Sequence, residues 1–104
     1  MTGPVLLMGR GVIVEMARLA ALEVPGVLRV ARAGPAWRAL LAGPPVTVRT
    51  REDRLDVRIW VIARPGANLA QVTREARVAV AGAVERLLGL HLGSVTVVVD
   101  GIGA

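Results

Sequence analysis

Three small groups of residues have types and spacing that could support chemistry, and the first is a glycine pair. Gly9-Arg10-Gly11 stands between a short apolar run and a helical pattern, where a dinucleotide-binding G-x-G-x-x-G motif would begin. The third glycine of that motif would fall at Val14, and no acidic residue closes a following strand at the required distance. The pattern therefore favours a simple turn from strand to helix.

The lone histidine and the acidic residues are weak candidates for catalysis. His91 has Ser94 close by in sequence, but a serine nucleophile also needs an oriented base and an oxyanion site, and a metal site needs further ligands. Glu52, Asp53 and Asp56 form an acidic cluster that a polar hairpin turn explains without paired-carboxylate catalysis. We expect no catalytic, cofactor or metal site, and therefore no enzyme.

Composition narrows the chemistry further. The chain of 104 residues contains no cysteine, which excludes thiol catalysis and disulfides and fits a cytosolic protein. All 13 basic residues are arginine, so no lysine is present for a Walker-type phosphate site or a Schiff base. No apolar run reaches the roughly 18 residues of a membrane helix, and the start lacks the pattern of a signal peptide. We expect one cytoplasmic domain over residues 1–104, without direct membrane insertion.

The elements that would position any site are clearest in the second half of the chain. Apolar residues alternate from Leu55 to Ile62, which predicts a strand. Four residues on one side of it are expected to face a core: Leu55, Val57, Ile59 and Val61. Trp60 and Ile62 then lie on the opposite face, together with Arg58.

A helix and a final strand follow. Asn68 is a typical N-cap, and Gln71 is placed to complete a capping box, so a helix is predicted from about Leu69 to Gly89. Alternating valines at Val95, Val97 and Val99 predict the closing strand.

The first half contains the remaining predicted elements. These are a strand at Val5 to Met8, a helix at about Arg10 to Val24, a strand at Val27 to Ala31, and a hairpin strand at Val46 to Thr50. A Gly- and Pro-punctuated loop from Ala33 to Pro45 contains one turn of helix around Trp37 to Leu41. The order β-α-β-β-β-α-β predicts an α+β fold with two layers, in which two helices pack on one face of a mixed sheet of four to five strands.

Short motifs at the ends of these elements carry a family resemblance. The first helix ends in Glu23-Val24-Pro25-Gly26-Val27, the second is preceded by Gly66-Ala67-Asn68-Leu69, and Leu88-Gly89-Leu90 follows it. These resemble the Glu-Val-x-Gly-Val, Gly-Val-Asn-Ile and Thr-Gly-Leu motifs of the alkaline shock protein family, also called the Gls envelope-stress family. The resemblance implies small, non-enzymatic cytoplasmic proteins of the envelope stress response. It also implies association with copies of themselves, with related family members or with a membrane-anchored partner.

Two apolar surfaces are candidate protein interfaces. The first comprises Trp60, Ile62 and Arg58, and the second is a line on the last helix through Val84 and Leu88. In the alternative interpretation, Trp60 lies beneath the Ala33 to Pro45 loop, against Trp37.

The strongly basic charge favours a second class of function, a basic RNA- or DNA-associated domain. The net charge is +5 and the isoelectric point is near 11.6. Arg49, Arg51, Arg54 and Arg58 cluster on the predicted hairpin. The G-x-x-G clamp of KH domains is missing, and two tryptophans without Tyr or Phe provide little aromatic surface for bases. We therefore expect protein association, with nucleic-acid binding as the alternative.

Overall fold

The computed structural model describes residues 9–88 and 92–103. Within them the elements are α1 (Arg10–Leu22), β1 (Val27–Val30), α2 (Ala36–Ala42), β2 (Val46–Arg51), β3 (Arg54–Ala63), α3 (Leu69–Leu88) and β4 (Leu92–Ile102). The predicted α+β fold is confirmed, and the single helical turn expected in the middle loop is the short helix α2. The strand predicted at Val5 to Met8 lies outside the described residues.

Strand β3 is the centre of a mixed sheet. β4 runs parallel along one edge of β3, from Leu55 opposite Leu92 to Ala63 opposite Ile102. β2 pairs antiparallel with the first part of β3, and β1 pairs antiparallel with its last part. Together they form a four-stranded sheet.

Trp60 shows how β1 and β2 are arranged. Its N–H donates to the Pro45 carbonyl at 2.8 Å, and its own carbonyl accepts from the Ala31 N–H at 3.1 Å. Because both backbone groups of a strand residue point to the same edge, β1 and β2 lie end to end along one edge of β3. Trp60 is therefore at the junction between them.

Helices α1 and α3 cover one face of the sheet. The predicted core face of β3 is confirmed, since Leu55, Val57, Ile59 and Val61 are each at most 1% exposed. These side chains pack in one cluster with buried residues of both helices: Ile13, Ala17, Ala20, Ala21, Val72, Ala76, Val80, Ala83 and Val84. The many alanines let α1 and α3 approach each other closely while both pack on the sheet.

Local signals define the ends of these elements. The Asn68 side chain accepts the Gln71 N–H at 3.1 Å, which confirms the N-cap of α3. The Gln71 side chain donates to Glu75 at 3.2 Å instead of returning to Asn68, so the reciprocal half of the capping box is not formed. The β2–β3 turn consists of Glu52 and Asp53, whose positive φ angles of 48° and 70° are typical of a type I′ turn.

Candidate interaction surface

The side of the sheet away from α1 and α3, here called the open face, carries mainly polar residues. The strand register sets them in rows that cross the sheet: Arg49, Asp56 and Ser94 in one row, Thr47, Arg58 and Thr96 in the next, and Trp60 beside Val98. Arg49, Arg58, Ser94 and Thr96 are exposed. The open face therefore offers charge and hydrogen-bonding groups around one large aromatic ring.

Trp60 is half-buried beneath an arginine. The guanidinium of Arg32 lies 3.6 Å from the centroid of the Trp60 ring, and that of Arg58 lies 5.9 Å from it. Arg32 also donates to the carbonyl of Ala42, the last residue of α2, at 2.8 Å. The ring is thus covered by the segment leading into α2, through Arg32. Trp37, the contact considered from the sequence, is 61% exposed.

Ile62 is a correction to the predicted interface, because it is only 4% exposed. A Cβ built on Gly101 would lie 3.4 Å from Ala33 Cβ and 3.6 Å from Ile62 Cδ1, so the start of the α2 connection and the end of β4 meet over this side chain. The N–H of Ala33 donates to Asp100 Oδ2 at 2.7 Å and thereby joins these two segments above Ile62. Ile62 is therefore buried by these two segments, on the side of the sheet away from α1 and α3.

Val84 is the second correction. It is fully buried, within the core cluster that α1, α3 and the sheet form together. Leu88 ends α3, and its side chain lies outside the described residues. The apolar line predicted on this helix is therefore part of the core at Val84.

The hairpin arginines lie together on the open face. Arg49, Arg54 and Arg58 are exposed, and Arg51 pairs with Asp56 through an Nη2–Oδ2 distance of 3.3 Å. The other oxygen of Asp56 accepts the Ser94 hydroxyl at 2.9 Å. Both oxygens of this carboxylate are thus engaged, which suits an organising role for Asp56 within a positively charged surface.

The resolved pKa shifts belong to an exposed pair on α1, away from this surface. The Arg18 side chain hydrogen-bonds to Glu15, with Nε 3.1 Å from Oε1, and this bond lowers the pKa of Glu15 and raises that of Arg18. Across residues 9–88 and 92–103, no group of three or more His, Cys, Asp or Glu side chains could hold a metal ion. His91 lies outside these residues.

The short helix α2 presents an apolar stripe that sequence reasoning missed. Trp37, Leu40 and Leu41 are 61%, 83% and 81% exposed, and α2 has no buried residue. Their spacing at i, i+3 and i+4 was the available signal, but the stripe was too short to stand out inside a loop-like sequence.

Nearly the whole chain matches the model of a known family. The family model that matches residues 6–104 is that of alkaline shock protein 23, described as having a cell envelope-related function. The chain belongs to the alkaline shock protein 23 family. The family resemblance of the Glu23 to Val27 and Gly66 to Leu69 motifs is thereby confirmed.

Solved structures share the fold of this family member at low sequence identity. One variant of MamM-CTD is 18% identical, with a TM-score of 0.60, covering 91% of this chain and 100% of its own. A copper form of MamM CTD is also 18% identical, with a TM-score of 0.58, covering 90% of this chain and 87% of its own. The comparison with curated proteins finds no match. Among the described residues, no helix is long and apolar enough to cross a membrane.

Proposed function

We propose that this member of the alkaline shock protein 23 family is a non-catalytic, cytoplasmic binding domain of the envelope stress response. It forms one domain over residues 1–104 and acts by associating with other proteins through the open face. The single observation that carries the proposal is that α1 and α3 cover only one face of the sheet, while Arg49 and Arg58 are exposed around the half-buried Trp60 on the other. Tryptophan and arginine are the residue types most enriched at the energetic centres of protein interfaces.

The charge of the open face indicates what kind of surface it binds. Arg49, Arg54 and Arg58 are exposed there, while the Asp56 carboxylate is engaged by Arg51 and Ser94. An acidic surface on a related family member or on a membrane-anchored protein would complement these arginines. Self-association of this face with itself would oppose arginine to arginine, so any self-association is expected to be head-to-tail.

A charge-reversal pair tests this role of the open face. Arg49→Glu/Arg58→Glu changes two exposed side chains there, and Arg74→Glu/Arg77→Glu makes the same charge change at two exposed positions of α3. We expect the open-face variant to lose both self-association in sedimentation velocity and capture of partner proteins, while the α3 variant keeps them. Equal behaviour of the two variants, each verified as folded by circular dichroism, would contradict the proposal.

Nucleic-acid binding is the second candidate, favoured by the clustering of Arg49, Arg51, Arg54 and Arg58 on one face. The ring of Trp60 is occupied by Arg32 at 3.6 Å, so the open face does not offer that ring freely for base stacking. Binding to phosphates would weaken steeply with salt, with a slope on a log–log plot of about 0.9 per neutralised phosphate on duplex DNA. If nuclease removes the captured material and binding shows this salt dependence, the partner is a nucleic acid and not a protein.

A further inference from the structure

The stripe formed by Trp37, Leu40 and Leu41 on α2 is the most exposed apolar feature of the described residues. Leu40 and Leu41 are 83% and 81% exposed, and Trp37 is 61% exposed. The i, i+3 and i+4 spacing directs the three side chains to one side of the helix. None of these residues contributes to the core, so folding alone does not explain their apolar character.

The chain around this stripe is positively charged throughout. From Val24 to Arg51 the sequence contains no acidic residue and five arginines, at positions 29, 32, 38, 49 and 51. The Arg38 guanidinium lies 5.6 Å from the centroid of the Trp37 ring, beside the stripe itself. An apolar stripe within a positively charged segment complements a partner that has an apolar interior and an anionic surface.

Helix α2 is held to the chain outside it at its C-terminal end. Its first turn is closed locally, since the N–H groups of Arg38 and Ala39 donate to the carbonyl of the N-cap residue Pro35 at 3.0 and 3.1 Å. At its end, Arg32 holds the Ala42 carbonyl while covering Trp60 on the open face. Pro44, just beyond α2, lines the same depression as Arg58 and Trp60, so the chain leaves α2 towards the open face.

We propose that α2 is an interfacial membrane contact, in which Trp37, Leu40 and Leu41 enter the headgroup region of an anionic bilayer. Arg38, whose guanidinium lies beside the Trp37 ring, would contact the lipid phosphates. Short apolar stripes with a tryptophan and flanking basic residues bind bilayer surfaces in this way without spanning them. The contact is made with lipid, so it goes beyond the protein association proposed above and does not need a membrane-anchored partner.

A second copy of the chain fits the stripe less well than a bilayer. Three side chains of a seven-residue helix provide far less area than the roughly 1,000 Å² that a specific protein interface buries. A symmetric contact between two such stripes would also bring Arg38 of each copy towards the other. An anionic bilayer instead attracts each arginine near its surface, which strengthens binding about five-fold per residue.

Vesicle flotation tests the inference directly. The purified protein should float with phosphatidylglycerol-containing vesicles and remain unbound with phosphatidylcholine alone. Leu40→Ser/Leu41→Ser should weaken binding at least about ten-fold, because two exposed leucines lose their burial in the bilayer. Val12→Ser/Val78→Ser is the matched control, since these valines are 43% and 72% exposed on α1 and α3, and binding should be unchanged.

The emission wavelength of tryptophan gives a second readout, which a purely electrostatic contact with the vesicle would leave unchanged. In a Trp60→Phe background, Trp37 is the remaining tryptophan, and its emission should shift to shorter wavelength when anionic vesicles are added. Arg38→Gln should weaken flotation about five-fold.

Three results would overturn the inference. The first is flotation that is equally affected by the leucine pair and the valine pair. The second is an emission of Trp37 that does not respond to bound vesicles. The third is a protein that ignores vesicles but loses lipid-free self-association in the leucine variant, which would identify a second copy as the occupant. The open-face charge reversals do not change the stripe residues, so failure here and failure of the proposed function are separable.

Discussion

Gly26 provides the sharpest test of how the Glu23 to Val27 motif works. Its φ angle is not in the left-handed region, so its backbone would accept alanine. A Cβ at this position would overlap with Cγ2 of Val72 on α3, and the Gly26 carbonyl accepts the Arg64 N–H at 2.9 Å. We therefore expect Gly26→Ala to destabilise the protein through steric overlap and not through backbone strain.

The magnitude follows from two opposing effects. Val72 is only 3% exposed and β-branched, so it has little room to move, and overpacking of this kind costs about 1–3 kcal/mol. Replacing glycine with alanine also restricts the unfolded chain, which returns about 0.4–1 kcal/mol. The net loss in the free energy of unfolding should be about 1–2 kcal/mol, or a fall in Tm of roughly 4–10 °C for a chain of this size.

A double-mutant cycle measures this overlap as a coupling energy. Chemical denaturation is followed for the unmodified protein, Gly26→Ala, Val72→Ala and the double variant. Val72→Ala alone should cost about 2 kcal/mol through lost burial and a cavity. In Gly26→Ala/Val72→Ala the new methyl occupies part of that cavity, so the double variant should be more stable than the sum of the single changes by about 1 kcal/mol or more.

Gly11→Ala is the control, because nothing lies within 4 Å of a Cβ at this position in α1. It should be neutral or stabilise the protein by up to about 1 kcal/mol, since alanine is the better helix former. Strictly additive effects at Gly26 and Val72, or a Gly26→Ala variant as stable as Gly11→Ala, would refute the steric explanation.

Other predictions concern the turn, the covered end of the open face and the exposed ion pair. Asp53→Gly should stabilise the β2–β3 turn by about 1 kcal/mol, because φ at this residue is 70°, and denaturation measures it. Ile62→Ser should lower the free energy of unfolding by about 2 kcal/mol or more, since the side chain is buried; if stability is unchanged and association is lost, Ile62 is an interface residue after all. Arg18→Ala should raise the pKa of Glu15 towards its ordinary value, as followed by carboxyl NMR. In the unmodified protein this pair stabilises the fold at neutral pH, and that contribution is lost as the pH falls through the lowered pKa of Glu15. Arg18→Ala removes the contribution, and the free energy of unfolding should change little because the pair is exposed.

The sequence alone determined the main helices and strands of the described residues and the face of β3 that enters the core. Alternation between Leu55 and Ile62 and the cap at Asn68 are local signals, written in residues that neighbour each other along the chain. Such local signals do not depend on which other segments pack against them. The α+β fold and the family motifs could therefore be predicted from the sequence. The arginine cluster was readable for the same reason, because a hairpin brings its own strands into register.

Only the tertiary structure decided what covers each face. Alternation placed Ile62 beside Trp60, but contacts from Ala33 and the end of β4, distant in sequence, bury Ile62. Helical periodicity showed the apolar sides of α3, and the packing of α3 together with α1 and the sheet placed Val84 in the core. The exposure of α2 was likewise a tertiary outcome: its stripe could have packed on Trp60, yet Arg32 occupies that position. Periodicity defines a face, whereas its burial depends on segments that meet only in the folded chain.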